Sequence, residues 1–296
     1  MVTGRLERVP APVLVLTGVV SVQFGAAVAI TLIASHGSAT AVLLRLGIGA
    51  LLMVAFARPA LRGHTPEQWR SAVTFGVILA LMNSTFYAAL GRIPLGVAVT
   101  LEFLGPLLLA AWTSRRRRDL AAVVAALAGV VLISGAWKAS WERLDHLGLA
   151  LALLAGVFWA LYIIWSGRTG AAFPGVTGLT VSLVVAAVLC LPLGAAGLVA
   201  LTGLDLGKGV LVALLSSVVP YGLELIALRR MSAQVFGVLM STEPALGALA
   251  GLLVLGQRLA GWQVAGMALV VLASAVVLGS RRGPGPEPAE AAADLG

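Results

Sequence analysis

Apolar residues run along this chain in long uninterrupted stretches, and polar residues gather at their ends. A helix crossing roughly 30 Å of hydrocarbon needs about 20 apolar residues. Ten stretches are of that order: 12–34, 39–57, 71–91, 95–113, 119–137, 147–167, 175–200, 208–228, 232–254 and 260–280. Their joints carry charge, glycine or proline, as at Arg58-Pro59, Arg92-Ile93-Pro94, Arg168, Arg229-Arg230 and Gln257-Arg258. Such runs are unlike the alternating strands of a membrane barrel, so the pattern predicts helices. The tightest joints fall near residues 36 and 93. Beyond Arg282 the segment GPGPEPAEAAADLG has the composition of a disordered tail.

Composition agrees with the pattern. Over 296 residues the chain is 60% apolar and 11% charged, against about 25% charged in a soluble domain. So little charge cannot cover a water-facing surface, and the chain reads as an all-α membrane protein in a lipid bilayer. One cysteine, Cys190, excludes an intramolecular disulfide and any cysteine cluster for zinc or iron–sulfur. His36, His64 and His146 are far apart near segment ends and read as loop residues, so neither metal nor other cofactor is expected. The net charge of +8 comes from short basic runs between apolar segments, as in a membrane protein, and not from a nucleic-acid surface. Arg5 and Arg8 precede an apolar stretch longer than a signal peptide needs, and further spans follow, which predicts a retained first helix. With the N-terminus cytoplasmic, 14 Lys and Arg lie in inside segments and 5 outside, while Arg45 lies within a span. That bias predicts both termini inside.

An internal repeat changes the reading from architecture to function. Shifted by 138 residues, YAALGRIPLGVAVTL (87–101) meets LIALRRMSAQVFGVL (225–239), pairing Arg92 with Arg230, and Pro106 falls on Pro244. One residue less brings Ala128-Gly129 onto Ala265-Gly266. Each unit then holds five spans, 12–137 and 147–280, followed by the tail 281–296. An odd number of spans makes the second unit enter from the opposite side, so ten helices form two inverted five-helix repeats. Inverted repeats suit secondary transporters, which open a central site to either face by exchanging two similar packings.

Ionisable residues inside spans are costly and need a reason. Arg45 and Glu102 lie at similar depth in the second and fourth spans. They fit either a site for a zwitterion, with Arg45 facing a carboxylate and Glu102 an ammonium or proton, or a structural ion pair between helices. Glu243 lies midway along the ninth span, before Pro244, which frees the carbonyl of Met240 four residues earlier. Carboxylate and freed backbone together suit a cation or ammonium, although prolines also kink helices for packing alone. Gly105-Pro106 is the matching break in the fourth span. Glu224, near Arg229 and Arg230, reads better as a snorkelling interfacial residue than as a site residue. Gln23, Asn83, Ser84, Tyr87, Trp159, Tyr162, Tyr221, Ser241 and Thr242 add neutral polar groups at helical spacing, which serve a common cavity or bond neighbouring helices. Gly247 and Gly251 have the spacing of a helix contact.

Other function classes lack their parts. Gly203-x-x-x-Gly207-Lys208-Gly209 is one residue short of a phosphate-binding loop and lacks its hydroxyl, which argues against an ATP-driven pump. Neither HExxH nor GxSxG occurs, which argues against a membrane protease or hydrolase. An ion gradient is then the expected energy source, with Glu102 and Glu243 as proton carriers.

The residues that carry these features resemble a known family. PLGVAVTLEFLGPLLLAAWTSRR (94–116), VPYGLELIALRRMSAQVFGVLMSTEPALGALAGLLVLG (219–256), NSTFYAAL (83–90), LLRLGIGALL (43–52), VSVQFGAA (20–27) and GVFWALYIIWSGR (156–168) are similar to the EamA family of the drug/metabolite transporter superfamily. The resemblance covers nearly the whole chain except the tail. It implies a ten-helix exporter in the bacterial inner membrane, acting as monomer or homodimer, that moves small amino acids of the threonine/homoserine kind outward by proton exchange. Positions matching the family's polar motifs are Gln23, Arg45, Asn83, Tyr87, Glu102, Tyr221, Glu224 and Glu243. One departure is Gln257, where many members carry Glu. Export of another small metabolite or drug, or a membrane-embedded enzyme on a related scaffold, are the alternative readings.

Overall fold

The computed structural model describes residues 9–93, 95–113, 117–134, 145–240, 242–243, 245–246 and 260–279. Among these residues the chain forms helices and turns and no strand. The helices are α1 (Ala11–Ala57), α2 (Pro66–Leu90), α3 (Leu95–Thr113), α4 (Arg117–Ser134), α5 (His146–Ala172), α6 (Thr177–Gly194), α7 (Gly203–Ala213), α8 (Val219–Leu228), α9 (Ala233–Met240) and α10 (Gly261–Gly279). A 3-10 turn (Ala195–Ala200) follows α6, and a π-helical turn (Leu214–Val218) joins α7 to α8. Five helical stretches are long and apolar enough to cross a membrane: Thr31–Ala57, Pro66–Leu90, His146–Ala172, Thr177–Ala200 and Gly203–Leu228. The expected tail, the Pro244 break, Ser241, the Gly247 and Gly251 contact, Gln257 and the charges at Arg5, Arg8, Arg115, Arg116, Lys138, Arg143, Arg258, Arg281 and Arg282 lie outside the described residues.

Local chemistry explains where these helices begin and break. The first two expected spans are two helices within α1 that meet at a kink, where Gly37 leaves helical geometry at φ 80° and ψ 165°. A side chain there would clash with the backbone, so glycine suits the joint. Helix α2 starts five residues before the apolar run because Thr65 caps it, exchanging hydrogen bonds with Gln68, and Pro66 fits the first turn. Thr202 and Asp205 build the same box at α7, again five residues early. His36, expected in a loop, lies 3.2 Å from the Asp205 carboxylate.

Helices pack through small residues. Helix α3 meets α5 so closely at Gly105 that an added Cβ would lie 1.8 Å from the Gly156 carbonyl oxygen. At the crossing of α4 with α10, a Cβ on Gly129 would lie 2.7 Å from the Gly266 carbonyl. Large apolar side chains such as Leu51, Phe56, Trp112, Val188 and Leu193 are exposed on the outside. That outward apolar surface suits lipid as the solvent. The interior collects Phe75, Leu79, Ile163, Leu183, Leu225 and Phe236, and it contains a cavity lined by both polar and apolar side chains.

Candidate functional site

Helix α1 delivers Arg45 to the middle of the molecule, and α8 receives it. Pro220 has no N–H to return to the Ser216 carbonyl four residues earlier. The π turn Leu214–Val218 lies just ahead of it, and such turns often mark functional sites. Arg45 fills the opening. Its Nη2 donates to the Ser216 carbonyl at 2.5 Å and to Tyr221 Oη at 3.0 Å. Its Nε donates to Ser217 Oγ at 3.0 Å, and its Nη1 to Tyr87 Oη at 3.4 Å. Ser21 Oγ donates to the Leu215 carbonyl at 2.7 Å, which satisfies another acceptor of the same turn.

The neighbouring wall continues this network. Asn83 donates through Nδ2 to the Leu79 carbonyl at 2.8 Å and to Tyr221 Oη at 3.3 Å. Tyr221 Oη thus accepts twice, and its own O–H remains to be donated. Tyr162 donates its phenol hydrogen to Glu224 and stacks obliquely on Tyr221, ring centres 5.6 Å apart. Glu224 is 3% exposed. It faces the cavity, and the expected snorkelling arrangement with Arg229 and Arg230 is not formed. Arg229 binds the carbonyls of Gly170, Phe173 and Gly175 instead, and Arg230 that of Val9.

Across the cavity the character changes. Glu102 of α3 is 9% exposed and Glu243 is half-buried, and both line the cavity. Among the described residues neither has a hydrogen-bond or ion-pair partner. Arg45 acts on Glu102, Glu224 and Glu243 electrostatically across the space. The ion pairs among the described residues are His36–Asp205 and Arg92–Asp145. A structural Arg45–Glu102 pair is therefore not formed, and the guanidinium is held by hydroxyls and a carbonyl.

The cavity holds about 110 Å³ of water-accessible space, and its wider empty volume of about 580 Å³ includes open solvent. Of the positions singled out in the sequence, Arg45, Asn83, Glu102, Trp159, Tyr162, Tyr221, Glu224 and Glu243 line it. Tyr87 stands behind Arg45 as a hydrogen-bond partner. Gln23 is half-buried and its neighbour Val22 takes the place on the wall. Ser84 turns away to Cys190. Trp159 stands edge-on to Phe103, centres 4.7 Å apart, as an apolar side of the chamber. Sequence reasoning did not single out Val22, Met82 and Phe86, which line it too. It also missed the Ser216 carbonyl and Ser217, for which Pro220 was the available signal. Among the described residues no group of three or more His, Cys, Asp or Glu is placed to hold a metal ion.

Known proteins resemble this chain in sequence and in fold. A model of the EamA-like transporter family matches residues 146–279. The threonine/homoserine exporter RhtA of Salmonella typhimurium strain SL1344 is 38% identical over 276 residues, covering 92% of this chain and 93% of that one. RhtA of Escherichia coli strain K12 is 37% identical over the same length and shares. A solved structure, described only as a crystal structure of a protein, superposes with a TM-score of 0.74 at 22% identity, covering 92% of this chain and 98% of the other. That likeness concerns the fold.

Proposed function

This chain belongs to the EamA-like transporter family, and from that membership we propose that it exports small amino acids of the threonine/homoserine kind in exchange for protons. The observation that carries the reading is the divided chemistry of the cavity. One wall presents Arg45 with hydroxyl donors, and the other presents carboxylates that have no hydrogen-bond partner among the described residues. A zwitterion matches both. Its carboxylate would take the remaining Nη1 hydrogen of Arg45 and the free O–H of Tyr221, and its ammonium would face Glu102 and Glu243. With all three carboxyls ionised, one guanidinium would leave two negative charges uncompensated among largely buried side chains. Protons or a substrate ammonium neutralise them in turn, which is what exchange requires.

Alternating access between two inverted five-helix repeats, 12–137 and 147–280, is the mechanism proposed. Cavity residues support it, because Asn83 and Tyr221, Phe86 and Glu224, and Glu102 and Met240 stand in pairs 138 residues apart. A site lined by equivalent positions of both halves lies where an exchange of packings would open it to either face. The chain is a bacterial membrane protein, and the distribution of Lys and Arg supports an inner-membrane protein with both termini cytoplasmic.

The test is transport of labelled threonine and homoserine, within a panel of amino acids, by proteoliposomes under an imposed pH gradient. Gradient-driven flux of a small neutral amino acid is expected. Flux of none of them, or flux indifferent to the gradient, overturns the reading.

A further inference from the structure

One face of α5 carries polar groups away from the cavity at helical spacing. Trp159, Tyr162, Ser166 and Thr169 follow one another at intervals of three or four residues and therefore lie on one stripe. Trp159 lines the cavity and Tyr162 donates to Glu224 there. At the far end of the stripe, Thr169 Oγ1 lies 2.9 Å from Ser71 Oγ of α2, near the exposed Arg70 and Arg168. Ser166 falls between. Ser166 is 1% exposed, and its hydroxyl has no hydrogen-bond partner among the described residues, although it lies within interaction range of the Tyr162 phenol. A serine inside a helix ordinarily returns its hydrogen to a carbonyl of the preceding turn, and a buried hydroxyl left unpaired is costly.

We propose that the hydroxyls of Thr169, Ser166 and Tyr162 form a proton path between Glu224 and the end of the molecule at Ser71, with one water bound at Ser166 to close the line. Each oxygen on the line accepts a hydrogen from one side and passes its own to the other. One proton leaves the Glu224 carboxyl and one appears at the Ser71 end, while every hydroxyl keeps a single hydrogen. Rotation of the hydroxyls then resets the line. On the orientation proposed above this end is cytoplasmic, so the path releases inside the protons that drive export. Arg45, Glu102 and Glu243 are the charged groups facing its cavity end, and Arg229, bound to the Gly170 carbonyl, faces the other. Substrate does not use this route, which makes proton movement separable from substrate binding.

The proposal rests on the proton-coupled reading, and the experiment separates the two. Ser166→Val and the milder Ser166→Ala are reconstituted as full-length chains beside wild type, with an internal pH dye and labelled threonine or the amino acid selected by the panel. Substrate-for-substrate exchange at equal pH reports an intact site and fold. Gradient-driven flux and dye-reported proton entry report the path. Exchange within about twofold of wild type, with driven flux and proton entry reduced tenfold or more and restored by Ser166→Thr, is the expected result. Undiminished driven flux in both variants overturns the path and leaves the exporter reading intact. Exchange and driven flux lost in parallel in both variants assign Ser166 to packing and overturn the path as well. Wild-type flux without any gradient dependence overturns both readings together.

Discussion

The two sides of the cavity are held in place by different forces. On the side of α1 and α8, Arg45 makes four hydrogen bonds, and Tyr221, Asn83, Tyr162 and Glu224 continue the network. On the side of α3, no hydrogen bond from the described residues positions Glu102. The helix is fixed instead by backbone contact with α5, where Gly105 and Gly156 touch one turn away from the carboxylate. Polar groups used for support are occupied with one another, while a helix clamped through glycines can leave its polar side chain unoccupied. The first wall is held together as framework; the second leaves its carboxylates outside that network.

This contrast can be broken experimentally. Replacing Arg45 by Ala strands the Ser216 carbonyl and three carboxylates together. The folded protein should lose on the order of 3 kcal/mol, and both folded yield in detergent and transport should collapse. An Arg45→Ala protein with the wild-type melting temperature would show that the network is not framework. Glu102→Gln breaks no hydrogen bond, so stability should stay within about 1 kcal/mol, while gradient-driven flux falls a hundredfold or more. Equal losses of stability and flux in this variant would make Glu102 structural after all.

Smaller effects sharpen the same comparison. Gly105→Ala pushes a methyl group into the Gly156 carbonyl, and overpacking of this kind costs about 1–3 kcal/mol. It should also lower transport, because Glu102 moves with its helix. Gly167→Ala is the control: nothing lies within 4 Å of a Cβ there, and alanine should raise helix stability by up to about 1 kcal/mol. Thermal unfolding in detergent of both variants would decide whether α3 is held by close packing.

The smallest effect belongs to the exposed rim. Asp145 caps α5, accepting the Gly148 N–H at 2.9 Å, and Arg92 at the end of α2 lies 3.0 Å away. The Gly148 N–H, and after it Arg92, hold the Asp145 carboxyl below the ordinary carboxylate range. A lowered folded value means stabilisation that is present above the ordinary carboxylate pKa and lost as pH falls through the folded value. Asp145→Ala should therefore melt slightly earlier than wild type at pH 7, and the difference should shrink towards pH 3. A difference independent of pH would remove the charge from the explanation. Both partners are substantially exposed, so the ion pair itself adds little.

Much of the architecture was legible in the chain because lipid imposes a simple rule. Long apolar runs must be helical, and the starts of α3, α5 and α10 fall within a residue of the sequence boundaries for this reason. The early starts of α2 and α7 were hidden, since a capping threonine lies outside the apolar run it begins. The scarcity of charge likewise singled out Arg45, Glu102 and Glu243, because any charge in a span stands out against the cost of placing it there. Family membership followed from the residues around those positions.

Only the tertiary structure decided which of these groups are partners. From sequence, Arg45 and Glu102 at matching depth fitted either a zwitterion site or a structural ion pair; in the fold, the Pro220 region claims the guanidinium. Glu224 looked interfacial because two arginines follow it within six residues, yet those arginines turn to backbone carbonyls and Glu224 turns to Tyr162. Spacing along a helix determines which residues share a face, but not what the face meets. That depends on helix crossings, here on glycine contacts as short as that of Gly105 with Gly156, between segments about fifty residues apart in the chain. The sequence by itself determined a helical chain for lipid with a few costly charges. The packing decided which charges are tied into a hydrogen-bonded framework and which stand outside it, because hydrogen bonds form between neighbours in space.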